Sequence, residues 1–495
     1  MRAYLCFPLL IMLAGLCNGQ GRNNTWLLGY NTGLNEMSRF VFDTTAYTYT
    51  QETRQMQFYG TEATISDEQG NFLMSSNGVW IANANNDTMM NGSGLNPGYF
   101  VNSFPNGLVV DYGNIILPFP GDTSKYILFH QTESTSGIPS NELFYSIIDI
   151  TMDNGLGGVI NKNIIAYSDS ISWGISACRH ANGRDWWVFT NRDSSDVIIK
   201  LLVTSYGVSS VAQQSLNYLP WAGGNSTQLS FSPNGAKLIT TTYDNPSSKN
   251  SYLVISDFDR CTGSFSNTQT IQLTSGSYLW GLAFSPSGEF IYACSSGYLF
   301  QINSTTLTVD TVATYDGFIS GFPPNCCATD FWSMYLAADG KIYITSGSSV
   351  QHHHVINYPD SAGVACDVQQ HAIPLNVWSL RAVPNHPNYY LGAADGTVCD
   401  SLGLNPVNDP QVLDNTFKIK PNPNNGKFEI LYILPQGESG ILEVYNLEGK
   451  RVYRQTLPPW STLQTPDLSH VENGVYQAVI TSGGSRASRK VVICH

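Results

Sequence analysis

The sequence predicts an all-β chain: a seven-bladed β-propeller followed by a small C-terminal β-sandwich. Three observations predict it. Charged residues are only 12 % of the 495 residues, aromatics are also 12 %, and 44 glycines stand among many Asn, Ser, Thr and Tyr. This is the balance of short strands joined by tight turns, whereas long amphipathic helices need more Lys, Glu, Leu and Ala. A strand–turn–strand pattern recurs through the middle of the chain. A second alternating region, set off by a Pro- and Asn-rich stretch, closes it.

The first residues, MRAYLCFPLLIMLAGLCNGQ, place Arg2 before an apolar run from Leu5 to Leu16 that ends at small and polar residues. That is the layout of a secretory signal peptide, expected over residues 1–19. The run is shorter than the roughly 20 residues that span a bilayer. Leu16 directly before Cys17 argues against lipid modification. No later apolar stretch is long enough for a transmembrane segment. The net charge of -13 argues against nucleic acid as a partner, because phosphates demand a basic surface.

The propeller is expected over residues 22–399. TQLSFSPNGAKLIT from Thr227, WGLAFSPSGEFIYA from Trp280 and WSMYLAADGKIYIT from Trp332 each place a glycine eight positions after the first residue: Gly235, Gly288 and Gly340. Looser copies start at Trp173 and Trp378. Each is an alternating strand, a turn that needs a left-handed glycine, and a second strand rich in Ile, Tyr and Thr. Start positions 173, 227, 280, 332 and 378 leave room for two further strands per unit, the period of a four-stranded blade. Units from Ala63 and Asn114 bring the count to seven. Thr25 to Tyr30 is expected to complete the last blade beside LRAVPNHPNYYLGAA, which removes the exposed sheet edges.

Residues 400–414, rich in Pro and Asn, read as a linker. Alternation resumes over residues 415–495, with turns at Asn424-Asn425-Gly426, Glu448-Gly449, Asn473-Gly474 and Gly483-Gly484 separating about six short strands. Without Cys6 and Cys17, eight cysteines remain, an even number that permits disulfides in an exported chain. Their connectivity does not follow from spacing, and no CxxC pair suggests a metal site.

Two resemblances rest on these residues. DEQGNFLMSSNGVWIANANNDTMMNGSGL, FDRCTGSF, CCATDFWSMYLAADGKIYIT and HVINYPDSAGVACDV resemble the propeller region of large extracellular proteins of gliding and surface-associated bacteria, which implies no catalytic residues. The end of the chain resembles the type IX secretion system sorting domain, type A. Its marks are Pro421, Asn422, Pro423 and Gly426, the Leu442-Glu443-Val444-Tyr445 strand with Gly449, Gly474 and Tyr476, and Lys490 to Ile493. The bare terminal Cys494-His495 departs slightly from the pattern. This resemblance implies the type IX secretion machinery as a partner through residues 415–495, and delivery through the periplasm to the outer cell surface or the extracellular space. Asp-Ser/Thr triplets at Asp43, Asp87, Asp169, Asp310 and Asp360 resemble the O-glycosylation acceptor of the same bacteria.

Catalytic motifs are missing: no G-x-S-x-G, Walker loop, H-E-x-x-H or dinucleotide fingerprint occurs. His352-His353-His354 reads as a polar loop or strand edge, since alternate strand residues face opposite ways. Asp67, Glu68, Asp111, Asp193, Asp244 and Asp257 include no pair that spacing singles out for glycoside hydrolysis. No catalytic residue, cofactor or metal is assigned. The recurrent Trp173, Trp280, Trp332 and Trp378 should form a ring near one mouth of the channel. There they either wedge between blades or stack on a ligand, with Arg179, Arg381, His180 and His386 nearby as hydrogen-bonding groups. The leading function is a non-catalytic binding or adhesion module with a glycan or protein at this mouth. An extracellular carbohydrate-active hydrolase or lyase is the alternative, and a passive structural component of the surface a third.

Overall fold

The computed structural model describes residues 21–30, 36–134, 140–218, 228–320, 326–394, 396–397, 399, 413, 417–432, 434, 439–458, 463–483 and 485–495. The expected signal peptide lies outside the described residues, and so does the expected linker except at residue 413. The chain divides into two compact units, Met1–Asp400 and Ser401–His495.

Among its described residues the larger unit is a succession of antiparallel sheets whose first strands are Thr25–Leu28, Ala63–Ser66, Asn114–Pro118, Ser176–Arg179, Ser230–Phe231, Gly281–Phe284 and Met334–Leu336. The first of these has three strands and the other six have four each, and a separate two-stranded sheet pairs Ile319–Ser320 with Cys327–Ala328. The second and third join at their outer edges through one parallel pair, Gly158 with Met90. Neighbouring first strands lie beside one another around the centre, which is the plan of a β-propeller.

The repeated glycines do what their spacing predicts. Gly235, Gly288 and Gly340 have φ of 70°, 76° and 77°. Each donates its N–H three residues back, to Ser232, Ser285 and Ala337 respectively, at 2.8, 2.9 and 3.1 Å. A Cβ would disfavour this backbone, so the same hairpin turn recurs at these three glycines of the repeat.

Ring closure differs from the sequence reading. Thr25–Leu28 pairs with Glu36–Phe42, which pairs with Tyr47–Thr53, so the N-terminal segment builds a sheet of its own. Trp26, Leu28, Phe40 and Phe42 pack on Tyr343, Val355, Leu375 and Val377 of the last sheet. Each such buried side chain contributes roughly 1.5–3 kcal/mol. Trp378 does not open a blade. It lies near the end of Val368–Ser379, the outer strand of the sheet that begins at Met334, and its carbonyl accepts the Tyr30 N–H at 3.2 Å.

The segment after Ser379 threads the centre instead. Asn385 Nδ2 donates to the carbonyls of Tyr112, Asn114 and Ile175 at 3.3, 3.0 and 2.7 Å. Tyr389 Oη donates to Ile116 O at 2.7 Å, Asn388 Nδ2 to Pro233 O at 2.7 Å, and His386 Nε2 lies 2.8 Å from Thr64 O. Of these partners Thr64 lies on Ala63–Ser66 and Asn114 and Ile116 on Asn114–Pro118, while Tyr112, Ile175 and Pro233 lie in the turns and loops next to first strands. Pro384 and Pro387 explain why the segment does not join a ladder, since proline offers no N–H to a neighbouring strand. The Cys261–Cys399 disulfide ties the end of this plug to the hairpin after Ser251–Asp259.

The smaller unit has a three-stranded sheet of Lys418–Lys420, Glu429–Leu431 and Leu463–Gln464. Its second sheet orders Arg451–Leu457, Gly440–Tyr445, Gly474–Ser482 and Ser485–Ile493. Phe417, Phe428, Ile430, Tyr432, Leu442 and Val491 are among the residues that form its core. This is the predicted sandwich.

Candidate functional site

Trp280 and Trp332 each stand immediately or nearly before the first strand of their sheet, so the repeat delivers them to the same end of the propeller. Their rings stack with centroids 3.8 Å apart and planes 14° from parallel. Both indole nitrogens are anchored: Trp280 Nε1 donates to Ser296 Oγ at 3.2 Å and Trp332 Nε1 to Asp111 Oδ2 at 3.2 Å. Arg381 completes the group, with its guanidinium 3.6 Å from Asp111 Oδ2 and 5.4 Å from the Trp332 ring centroid. Asp111 is buried, so this pair is screened far less than a surface pair.

Arg381 is held by the backbone on both sides. Its N–H donates to Ser346 O at 3.1 Å, and its carbonyl accepts from Thr345 Oγ1 at 3.1 Å. Its φ is 34°, a left-handed conformation uncommon for a long side chain and maintained here by these two bonds. Tyr278 sits edge-on to Trp280 at 5.5 Å, Tyr243 meets Tyr278 at 5.1 Å, and Lys249 lies 5.3 Å over the Tyr278 ring. Asp330, whose carboxyl accepts the Gly347 N–H at 3.0 Å, has its pKa raised by burial. The result is a half-buried aromatic surface edged by a guanidinium and an ammonium, suited to stacking with polar anchors.

Of the six binding candidates, the structure brings Trp280, Trp332 and Arg381 together and places the other three elsewhere. Trp173 is buried against Phe100, Val101, Leu108 and Val110, a wedge in the core. Trp378 lies on an outer strand. Arg179 ends its strand rather than preceding it. Its guanidinium lies 3.8 Å from the Trp186 ring and donates to the carbonyls of Arg184 and Tyr389, and burial pushes its pKa down to about 10.

Arg179 borders a cavity of about 320 Å³ between the plug and four first strands, lined among others by Ser176, Gln228, Ser232, Asn385 and Tyr390. His386 lines it too. The Thr64 carbonyl fixes the proton on His386 Nε2, and burial pushes its pKa down to about 4. Sequence reasoning missed Asn385; the prolines around it were the available signal that this stretch is no strand. His180 Nε2 meets the carbonyl of Cys261 at 3.0 Å.

The histidine row is neither a loop nor an edge. It lies on Val350–Ile356, paired on both sides, with His353 and His354 buried. His353 Nε2 meets Ser379 Oγ at 2.9 Å and His352 Nδ1 meets Ser320 Oγ at 2.9 Å, so alternation separates them. Among the described residues, no group of three His, Cys, Asp or Glu is placed to hold a metal ion. The candidate carboxylates have local partners: Asp67 the Asn71 N–H, Glu68 Arg22, Asp193 Ser172, Asp244 Asn250, and Asp257 Lys237.

In the smaller unit, the Pro421-Asn422-Pro423 stretch is stapled to the last strand. Asn422 Nδ2 donates to Lys490 O at 2.7 Å and Asn422 Oδ1 accepts the Val492 N–H at 2.8 Å. One residue pair on, the Asn424 N–H donates to Val492 O at 2.9 Å and Cys494 N–H to Asn424 O at 2.8 Å. Gly426 has φ of 89°, and a Cβ there would lie 2.7 Å from Ser469 Cα, so only glycine fits. Gly449 closes the Asn446 turn. Tyr476 is buried with its hydroxyl donating to Glu472 O at 2.6 Å. Gly474 has no such backbone demand.

Residues 418–494 match the family model described as a secretion system C-terminal sorting domain. No curated protein matches the chain. Among solved structures, a functionally unknown protein from Desulfotomaculum acetoxidans DSM 771 is 14 % identical with a TM-score of 0.40, covering 74 % of this chain and 99 % of its own. The β-propeller domain of Myceliophteria thermophila Cps50 (Swd1) is 10 % identical with a TM-score of 0.35, covering 65 % and 93 %.

Proposed function

We propose that this chain, which carries a type IX secretion system C-terminal sorting domain and is exported to the cell surface or the extracellular space, uses its propeller as a non-catalytic binding or adhesion module. The ligand, a glycan or a protein, is received at the aromatic mouth formed by Trp280, Trp332 and Arg381. The observation that carries this reading is the stacked indole pair with both nitrogens anchored and Arg381 fixed between Trp332 and Asp111. Such a surface is rigid before the ligand arrives, which reduces the ordering cost of binding. Asp111, the buried carboxylate of this mouth, already serves the Trp332 indole and Arg381.

The type IX machinery handles the chain through residues 415–495, with Asn422 and Gly426 supporting the terminal strand that carries Lys490. A glycan array probed with the full chain tests the ligand, followed by titration of any hit against Trp280→Ala and Arg381→Ala. The expected result is a hit weakened about tenfold or more by either substitution. No hit, together with turnover of a polysaccharide panel, would replace this reading with a hydrolase or lyase.

A further inference from the structure

Cys326 and Cys327 are adjacent in sequence and bonded to each other. A disulfide stabilises a fold chiefly by closing a loop in the unfolded chain, and its effect grows with loop length. Cys261–Cys399 closes 138 residues; Cys326–Cys327 closes one peptide bond. The adjacent pair therefore contributes almost nothing to the fold through chain entropy.

Its sulfurs are also accessible. Cys326 is exposed and Cys327 is half-buried, as are Cys261 and Cys399; of the free thiols Cys494 is exposed, while Cys178, Cys294 and Cys366 are buried, and burial raises the pKa of each. Cys327 pairs with Ser320 in a two-stranded sheet beside the exposed Phe318 and Ile319. Ser320 Oγ in turn meets His352 Nδ1 at 2.9 Å and accepts the Gln351 N–H at 3.0 Å, so the strand partner of Cys327 abuts the last propeller sheet.

We propose that Cys326–Cys327 is a thiol–disulfide exchange site for external thiols, not a structural cross-link. A thiolate attacks Sγ of exposed Cys326, the Cys326–Cys327 bond breaks, and Cys327 leaves as a thiolate that takes up a proton. A second thiol then attacks the mixed disulfide at the first thiol's sulfur. Two protein thiols and one external disulfide result, and two electrons have passed from the thiols to the cysteine pair.

The test is graded reduction of the full chain with dithiothreitol, trapping with iodoacetamide, and peptide mass spectrometry. Cys326 and Cys327 should be alkylated at a dithiothreitol concentration about tenfold or more below that needed for Cys261 and Cys399. Simultaneous opening, or earlier opening of Cys261–Cys399, would overturn the proposal. The Cys326→Ser/Cys327→Ser double variant should keep its melting temperature within about 2 °C. A larger loss would show that the pair is structural and overturn the proposal as well.

Discussion

The side-chain amide of Asn385 donates to the carbonyl oxygen of Ile175 at 2.7 Å, across 210 residues of sequence. Because the same nitrogen also serves Tyr112 and Asn114, one residue of the plug ties the start of the first strand Asn114–Pro118 to Ile175, which directly precedes the first strand Ser176–Arg179. The propeller centre is thus threaded by a hydrogen-bonded segment, which leaves a cavity of about 320 Å³ on one side.

Asn385→Ala should cost about 1–3 kcal/mol, since it strands buried carbonyls without a donor. Asn385→Asp should cost more, because an ionised carboxylate would face carbonyl oxygens. Chemical denaturation of each variant measures both. Reduction of Cys261–Cys399 should weaken the same segment, which hydrogen exchange at residues 385–394 would register as faster exchange.

Trp332→Ala should lower stability by about 3 kcal/mol, because the indole fills space between Trp280 and Gly347 and holds Asp111. Trp280→Ala should cost less stability, since its indole nitrogen is held by Ser296 rather than by a buried carboxylate, and more ligand affinity. Parallel thermal melts and binding titrations separate the two roles.

Stability should fall on acidification. Burial pushes His130 and His353 down to about 3, and His354 and His386 down to about 4. Their unfolded value is about 6.5. Below that pH the unfolded chain takes up protons that the folded chain refuses, at up to about 1.4 kcal/mol per pH unit per histidine. The loss levels off as pH passes the folded values. Glu62 acts in the opposite sense: burial raises its pKa, so its contribution is present at low pH and lost as pH rises through the folded value. Melting temperatures between pH 7 and pH 4 should therefore decline steadily, and His353→Asn should flatten the slope. A flat profile would contradict the buried, neutral histidines.

Asn422→Ala removes both bonds to the last strand of the sorting domain and should cost that unit about 1–2 kcal/mol. Gly426→Ala should cost more, since both φ and Ser469 oppose a side chain. Protease resistance of the C-terminal unit in the two variants provides the comparison.

The elements legible in the sequence were those carried by local chemistry. Gly235, Gly288 and Gly340 announced their hairpins because only glycine adopts that turn cheaply, and Pro421 to Gly426 announced the sorting domain. Ring closure was misread at Trp378 because a tryptophan before alternating residues looks the same on an outer strand as on a first one. The plug was hidden because its partners, from Thr64 to Pro233, are distant in sequence. Arg381 was named as a donor beside the tryptophans, yet its pairing with Asp111 depends on a contact spanning 270 residues that no local pattern encodes.

The most direct test of the whole account is where the chain goes without its C-terminal unit. In the producing bacterium, surface proteolysis and fractionation should find the full chain on the cell surface or in the medium. The chain truncated after Asp400 should accumulate in the periplasm. Equal surface delivery of the truncated chain would contradict the account.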